Sequence, residues 1–280
     1  HGDGRVTSVE EWSGKGRGDE NFPVGSWLIR RDLRPHVHAF YAFARNADDI
    51  ADSPALLAED KLRRLDVMED VLLGKRREGS PSARGLRASL AVTGVSPVHA
   101  RELLVAFRQD AYKRRYASWS ELEEYCRYSA MPVGRYVLDL HGEDRNTYGP
   151  SDALCTSLQV LNHVQDCQRD LEELDRSYLP EDMMTSTGAS VGDIRGTRET
   201  AGLRALFDKL LDRIRAMNLA AENLPRYVRN RRLRLETAVI VNLSKRLERR
   251  LRAEDPVAGQ VKLTKGDAVA SLIGALRFLP

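Results

Sequence analysis

From Leu33 onward the apolar residues of this chain recur at every third or fourth position, and no stretch alternates them at every second. That spacing gathers them on one face of a helix and leaves nothing to build a half-buried strand. Leu62, Leu65, Met68 and Leu72 share one such face, and Leu103, Phe107 and Ala111 another. Leu203, Leu206, Leu210, Ile214 and Met217 follow the three-four pattern, and Leu235, Val239, Leu243, Leu247 and Leu251 repeat at every fourth position. The stripes are interrupted at 74–85, 93–97, 142–151, 178–192 and 254–266, each rich in Gly, Pro, Ser or Asp. The expectation is an all-α chain of eight or more helices with short connections, packed as a bundle. Residues 20–280 are read as a single domain, behind a polar, glycine-rich flexible lead-in over 1–19.

Composition narrows the function classes. With 280 residues, 42% hydrophobic and 30% charged, the chain is globular and can bury a core without disulfides or structural metal. A net charge of +3, from 44 basic against 41 acidic residues, is too small to argue for a nucleic-acid partner. The basic residues are clustered, however: Arg226, Arg229, Arg231, Arg232 and Arg234 form one run, and Lys245, Arg246, Arg249, Arg250 and Arg252 another. Solvated helix faces are the plain reading; attraction to phosphates or to an anionic membrane surface is the functional one. Cys126, Cys155 and Cys167 are an odd number without metal-ligand spacing, so reduced thiols in a cytoplasmic protein are expected. The apolar run at 268–276 is far too short to span a bilayer, and no signal-peptide pattern is seen.

Two constellations carry chemistry. Asp48-Asp49-Ile50-Ala51-Asp52 follows a stretch that reads as helix, so Asp48 and Asp52 stand one turn apart on one face, with Asp49 in reach of Asp52 but pointing differently. Like charges at this spacing oppose the helix, and Asp is a poor residue in a helix interior. A bound cation is one remedy; a solvated acidic turn or a helix end is the alternative. Asn162, Asp166 and Asp170 fall at i, i+4 and i+8 and line one helix face over roughly 12 Å. All three offer oxygen, the ligand type that hard Mg²⁺ prefers. If the two helices face each other, four or five carboxylates converge, each close pair repelling by about 1–4 kcal/mol. Mg²⁺ bridging to a diphosphate relieves that repulsion.

At this point the residues resemble a known family. Tyr41-x-x-x-Arg45-x-x-Asp48-Asp49-x-x-Asp52 is followed by Tyr125-Cys126-x-x-x-Ala130-x-x-Val133-Gly134. Then come Gln159-x-x-Asn162-x-x-x-Asp166-x-x-x-Asp170 and Arg176-x-Tyr178-Leu179-Pro180. In this order the chain resembles the squalene/phytoene synthase family from about residue 21 to 263. Asn21-Phe22-Pro23-Val24, Leu33-Arg34-Pro35-His36 and Arg127-Tyr128-Ser129-Ala130 before Pro132-Val133-Gly134 are similar to its hydroxysqualene synthase branch, in hopanoid biosynthesis. Two departures stand out. Met131 occupies a position where that branch commonly has Asn, and His163-Val164 stand where it has Phe-Trp.

The resemblance implies the isoprenoid synthase helix bundle with a central active-site cavity. It implies Mg²⁺-dependent ionisation of presqualene diphosphate with capture of water, or else head-to-head condensation of two prenyl diphosphates. It implies Mg²⁺ ligands at Asp48, Asp52, Asn162, Asp166 and Asp170, with Asp49 a weaker candidate, and diphosphate contacts from Arg45 and Arg176. Phe22, Tyr41 and Tyr125 would line a cavity for a carbocation, whose charge aromatic faces stabilise, with Gln159 and Tyr178 in support. Ordinary core packing or ion pairing is the plain alternative for each. No glycine-rich dinucleotide fingerprint is present, since Gly14, Gly16 and Gly18 lack its spacing, which favours chemistry without reduction. The expected partners are an isoprenoid diphosphate, an apolar product passed to downstream isoprenoid enzymes, and transient contact with a membrane surface; nucleic acid is not expected.

Overall fold

The computed structural model describes residues 8–10 and 29–278, and every element among them is helical. The helices fall into two compact units, one up to Tyr112 and one from Lys113 on.

The first unit holds α1 (Arg34–Asp52), α2 (Ala58–Leu72), α3 (Pro81–Thr93) and α4 (Val98–Asp110). Pro35 starts α1 in the first turn, where a missing N–H costs nothing. Ser80 caps α3 by accepting from the Ala83 N–H at 3.2 Å. Gly94 closes the same helix at φ +72°, a conformation that glycine adopts without penalty. α1 packs on α2, α3 and α4, burying Val37, Phe40, Phe43, Ala47 and Ile50. Arg108 of α4 ties back to α2 through Asp66 at 2.8 Å and Glu69 at 2.5 Å. Within the region read as a loose lead-in, Ser8–Glu10 hydrogen-bond to the start of α3: the Val9 N–H donates to the Gly79 carbonyl, and the Ser80 hydroxyl and Ser82 N–H donate to the Glu10 carboxylate.

The second unit begins with α5 (Trp119–Ser129), α6 (Met131–Leu140), α7 (Tyr148–Gln165) and α8 (Cys167–Leu174). Two short helices follow, α9 (Glu181–Thr187), inside the stretch that the sequence reads as a break at 178–192, and α10 (Val191–Ile194), which begins at its end. The long α11 (Ala201–Ala221), the single turn α12 (Leu224–Tyr227), α13 (Arg231–Ala253) and α14 (Lys265–Ala275) complete it. α7 is central, packed on α6, α11 and α13. The predicted stripe from Leu203 to Ile214 is fully buried, as are Leu247 and Leu251 of α13. Where α7, α11 and α13 meet, the Ser157 and Ser244 hydroxyls both donate to the Asn218 side-chain oxygen at 2.7 Å. One acceptor thus satisfies two buried donors and pins three helices together.

The second basic run is largely paired within this unit. Arg246 and Arg250 reach Asp267, Arg252 reaches Asp212 and Glu248, and Lys245 reaches Glu222. The Glu143 carboxylate accepts from the Arg229 and Asn230 N–H groups at 2.7 Å each, ahead of α13. Arg246, Arg250, Arg252 and Lys245 thus act as struts from α13 to neighbouring elements.

Candidate active site

Tyr41, Arg45, Asp48 and Asp52 follow one another at successive turns of α1, and all four are half-buried. They form a single, partly accessible stripe down the helix. Asp49 lies off that stripe: it is buried, and its Oδ1 has no hydrogen-bond partner. All three aspartates sit in or next to the last turn of α1, which carries no basic residue. Here the helix dipole is negative, and each carboxylate costs about 0.3–1 kcal/mol. One cation relieves this end from a neighbouring helix. Lys61 of α2, itself buried, donates from Nζ to the Ala51 carbonyl at 2.7 Å. Nothing in the sequence marks Lys61, since its role depends on the packing of α2 against the end of α1.

The second constellation is interrupted where the sequence predicts one continuous helix. Asp166 separates α7 from α8 with φ −105° and ψ 11°, the sparsely populated bridge region. The register survives, because the Asp166 N–H donates to the Asn162 carbonyl at 2.8 Å and the Asp170 N–H to the Asp166 carbonyl at 2.9 Å. Gln159, Asn162, Asp166 and Asp170 therefore stay neighbours along one half-buried face. Side chains on either side of Asp166 hold the break in place. Gln165 donates to the Val261 carbonyl, and Gln168 donates to the carbonyls of Ile194 and Gly196. The sequence reading gave these two glutamines no role, and only their reach to distant loops reveals one.

Electrostatics single out Asp166. Burial pushes its carboxyl above the ordinary carboxylate value, against the opposing pull of Arg169, a hydrogen bond from Gln260 and the charge of Lys262. The Arg169 guanidinium lies 2.8 Å away but is itself half-exposed. A carboxylate short of compensating charge is a natural partner for a cation.

Tyr125 of α5 and Tyr178, which follows α8, are buried together with two residues that the sequence reading had not brought to them. The His163 ring stacks on Tyr178 with centroids 3.8 Å apart, and Tyr116 stacks on its ring at 5.4 Å. Tyr125 meets Tyr178 at 5.2 Å and Tyr116 edge-on at 5.4 Å. Arg176 is buried and donates from Nη1 to the Tyr178 hydroxyl at 3.0 Å. Burial, helped by the Arg176 charge, pulls the His163 imidazole down to about 3, so it is neutral at physiological pH. A neutral ring lies beside the guanidinium without repulsion. Phe22 lies outside the described residues.

Pro132 and Gly134 mark a junction between helices. α5 ends at Ser129, and Pro132 sits in the first turn of α6, where proline is tolerated. Gly134 serves close packing. A Cβ there would run into the Ser151 hydroxyl and stand 2.7 Å from the Cys155 sulfur of α7.

Do these side chains suit Mg²⁺? Among the described residues no three His, Cys, Asp or Glu side chains are grouped to hold a metal by themselves. Mg²⁺ typically takes one or two carboxylates and completes its shell with substrate phosphate and water. The pairs Asp48 with Asp52 and Asp166 with Asp170 each offer that number, and the costly Asp166 charge and the acidic end of α1 both favour a cation. The donors fit.

The squalene/phytoene synthase family model matches residues 15–267. The chain belongs to the squalene/phytoene synthase family. It is similar to the hydroxysqualene synthase of Rhodopseudomonas palustris, 44% identical over 97% of this chain and 93% of that protein. The squalene synthase HpnC of Alicyclobacillus acidocaldarius has a crystal structure that is similar with TM-score 0.74 and 34% identity, over 85% of this chain and 90% of that one. A dehydrosqualene synthase shares the fold at TM-score 0.80 and 22% identity, over 94% and 93% of the two chains. The all-α isoprenoid synthase fold is thereby shown, and the squalene/phytoene synthases are enzymes that process prenyl diphosphates, generally with a divalent metal.

Proposed function

We propose that this chain converts presqualene diphosphate and water to hydroxysqualene and inorganic diphosphate, with Mg²⁺. The observation that carries the reading is the 44% identity to a hydroxysqualene synthase along nearly the whole of both proteins. The C–O bond to the diphosphate breaks with its electron pair leaving on oxygen. The cyclopropylcarbinyl cation left behind rearranges, and a C–C bond of the three-membered ring breaks to give the linear skeleton. A water oxygen bonds to the carbon that then carries the positive charge and gives up one proton.

In this reading Asp48, Asp52, Asn162, Asp166 and Asp170 are the Mg²⁺ ligands, and Asp49, buried off the stripe, is the weakest of the set. Mg²⁺ supplies positive charge that offsets charge on the departing diphosphate. Arg45 and Arg176 donate to phosphate oxygens, a geometry that guanidinium provides through parallel N–H groups. Arg176 spends one N–H on Tyr178 and so also fixes that ring. Tyr41, Tyr125, Tyr178 and Phe22 supply aromatic faces to the cationic carbon skeleton. Gln159, one turn before Asn162, offers an amide to a water or a phosphate oxygen. We infer a cytoplasmic enzyme that touches the membrane surface transiently, because its substrate and product are strongly apolar and pass to and from other isoprenoid enzymes.

Head-to-head condensation of two prenyl diphosphates is the second reading, favoured by the similarity to a protein named squalene synthase. Product analysis separates the two. Presqualene diphosphate as sole substrate should yield hydroxysqualene and inorganic diphosphate, and chelation of Mg²⁺ should stop both. A condensed product from farnesyl diphosphate alone would establish the second reading instead.

A further inference from the structure

α14 is turned inside out. Its buried face carries Asp267, Ser271 and Ala275, and Gly274 lets Asn242 of α13 approach closely enough to donate to the Ser271 carbonyl at 3.1 Å. Its large apolar residues point the other way: Val269 is 59% exposed, Leu272 37%, Ile273 63%, and Leu276, just past the helix, 49%. Their spacing of i, i+3, i+4 and i+7 makes one continuous stripe. An apolar stripe left in water by a helix that buries its polar residues calls for an apolar partner.

The charge around the stripe identifies that partner. Lys265 lies one turn before Val269 on the same face, and Arg277 one turn after Ile273; both are exposed. The only acidic residue between 256 and 278 is Asp267, which is buried and paired with Arg250 at 2.7 Å and Arg246 at 3.5 Å. The exposed face is therefore apolar in the middle and purely cationic at both ends. Long basic side chains lie along an apolar surface and extend their charges to lipid headgroups. A second copy of the same face would bring cations against cations with no acidic residue to meet them. No helix among the described residues is long and apolar enough to cross a membrane, so contact of this kind lies in the plane of the surface.

We propose that this face of α14 docks the protein on an anionic lipid bilayer. The proposal builds on the apolar substrate of the function proposed above and names the surface that would meet the membrane. The segment that leads into α14 carries Gln260 and Lys262, both acting on Asp166. The lipid-facing helix and the border of the candidate site thus belong to one stretch of chain.

The test is co-sedimentation of the full chain with vesicles of phosphatidylcholine, with and without phosphatidylglycerol, beside the double variant Ile273→Ser/Leu276→Ser. The native chain should pellet with the anionic vesicles and be released by salt, and the double variant should bind at least roughly tenfold more weakly. Circular dichroism and turnover of detergent-dispersed presqualene diphosphate should be unchanged in the variant. Equal vesicle binding by both proteins, or none by either, overturns the proposal. So does a dimer in sedimentation velocity that the double variant dissociates while vesicle binding is absent, which would assign the face to a second copy. Vesicle binding needs no catalysis, so a chain that docks as expected but turns over no substrate defeats the functional reading alone.

Discussion

Asp166 concentrates the tension of the candidate site in one carboxylate. It occupies a helix break in bridge-region backbone, and its charge is held at a cost that Arg169, Gln260 and Lys262 do not fully offset. Asp166→Asn keeps the shape and an oxygen but removes the charge. Changes outside the direct ligand set already cost about 10–100-fold in metal affinity, so Mg²⁺-dependent release of diphosphate should fall by at least that much. The ligand-free variant should nevertheless melt no lower than the native protein, and somewhat higher near neutral pH. Steady-state kinetics at varied Mg²⁺, with thermal unfolding in chelator, checks both halves. A variant that loses activity because it unfolds at lower temperature would refute this account of Asp166.

Between elements, one methyl group has opposite effects at two glycines. Gly134→Ala drives a Cβ into Ser151 and Cys155 at the contact of α6 with α7, and such overpacking costs about 1–3 kcal/mol. Gly85, in the exposed middle of α3, has nothing within 4 Å of its would-be Cβ. Gly85→Ala should stabilise by about 0.5–1 kcal/mol, through helix propensity alone. Chemical denaturation of the two variants gives the signs. The contrast also shows what the sequence could and could not disclose. The all-helical class and the breaks near 74–85, 93–97, 142–151 and 254–266 were legible, because apolar spacing and Ser, Thr, Gly and Pro punctuation act locally. The break at Asp166 was not, because it is held by Gln165 and Gln168 reaching loops about 30 to 100 positions away. Lys61 under the end of α1, and Tyr116 and His163 against Tyr178, were hidden for the same reason. The aspartate stripes themselves were plain from spacing, whereas the burial that separates Asp49 from Asp48 and Asp52 needed the packing of α1 on its neighbours.

Over the whole molecule, the structural carboxylates Glu69 and Asp267 and the candidate ligand Asp166 respond to pH with opposite signs. Burial raises Glu69 in the first unit, but hydrogen bonds from Arg101 and Arg108 outweigh it and hold the group below its ordinary 4.5. In the second unit burial likewise raises Asp267, but hydrogen bonds from Thr264 and Arg250 prevail and hold it below 3.8. A depressed carboxyl contributes stability that is complete above its unfolded value and is lost as pH falls through the lower folded one. Each unit therefore contains an acid-sensitive link, and thermal stability should drop as the pH falls below about 4. Asp166 runs the other way. Its folded value is raised, so its contribution is present below 3.8 and is lost as pH rises through the folded value. Native protein and Asp166→Asn should therefore share the same acid collapse and differ only at higher pH, where the native carboxylate is charged. Melting temperatures of both, measured in chelator from about pH 3 to 7, should converge at the acid end and separate above it, and added Mg²⁺ with pyrophosphate should raise the native value alone. Curves separated by a constant offset at every pH would show that the carboxylate charge is not what the folded chain pays to keep at this position.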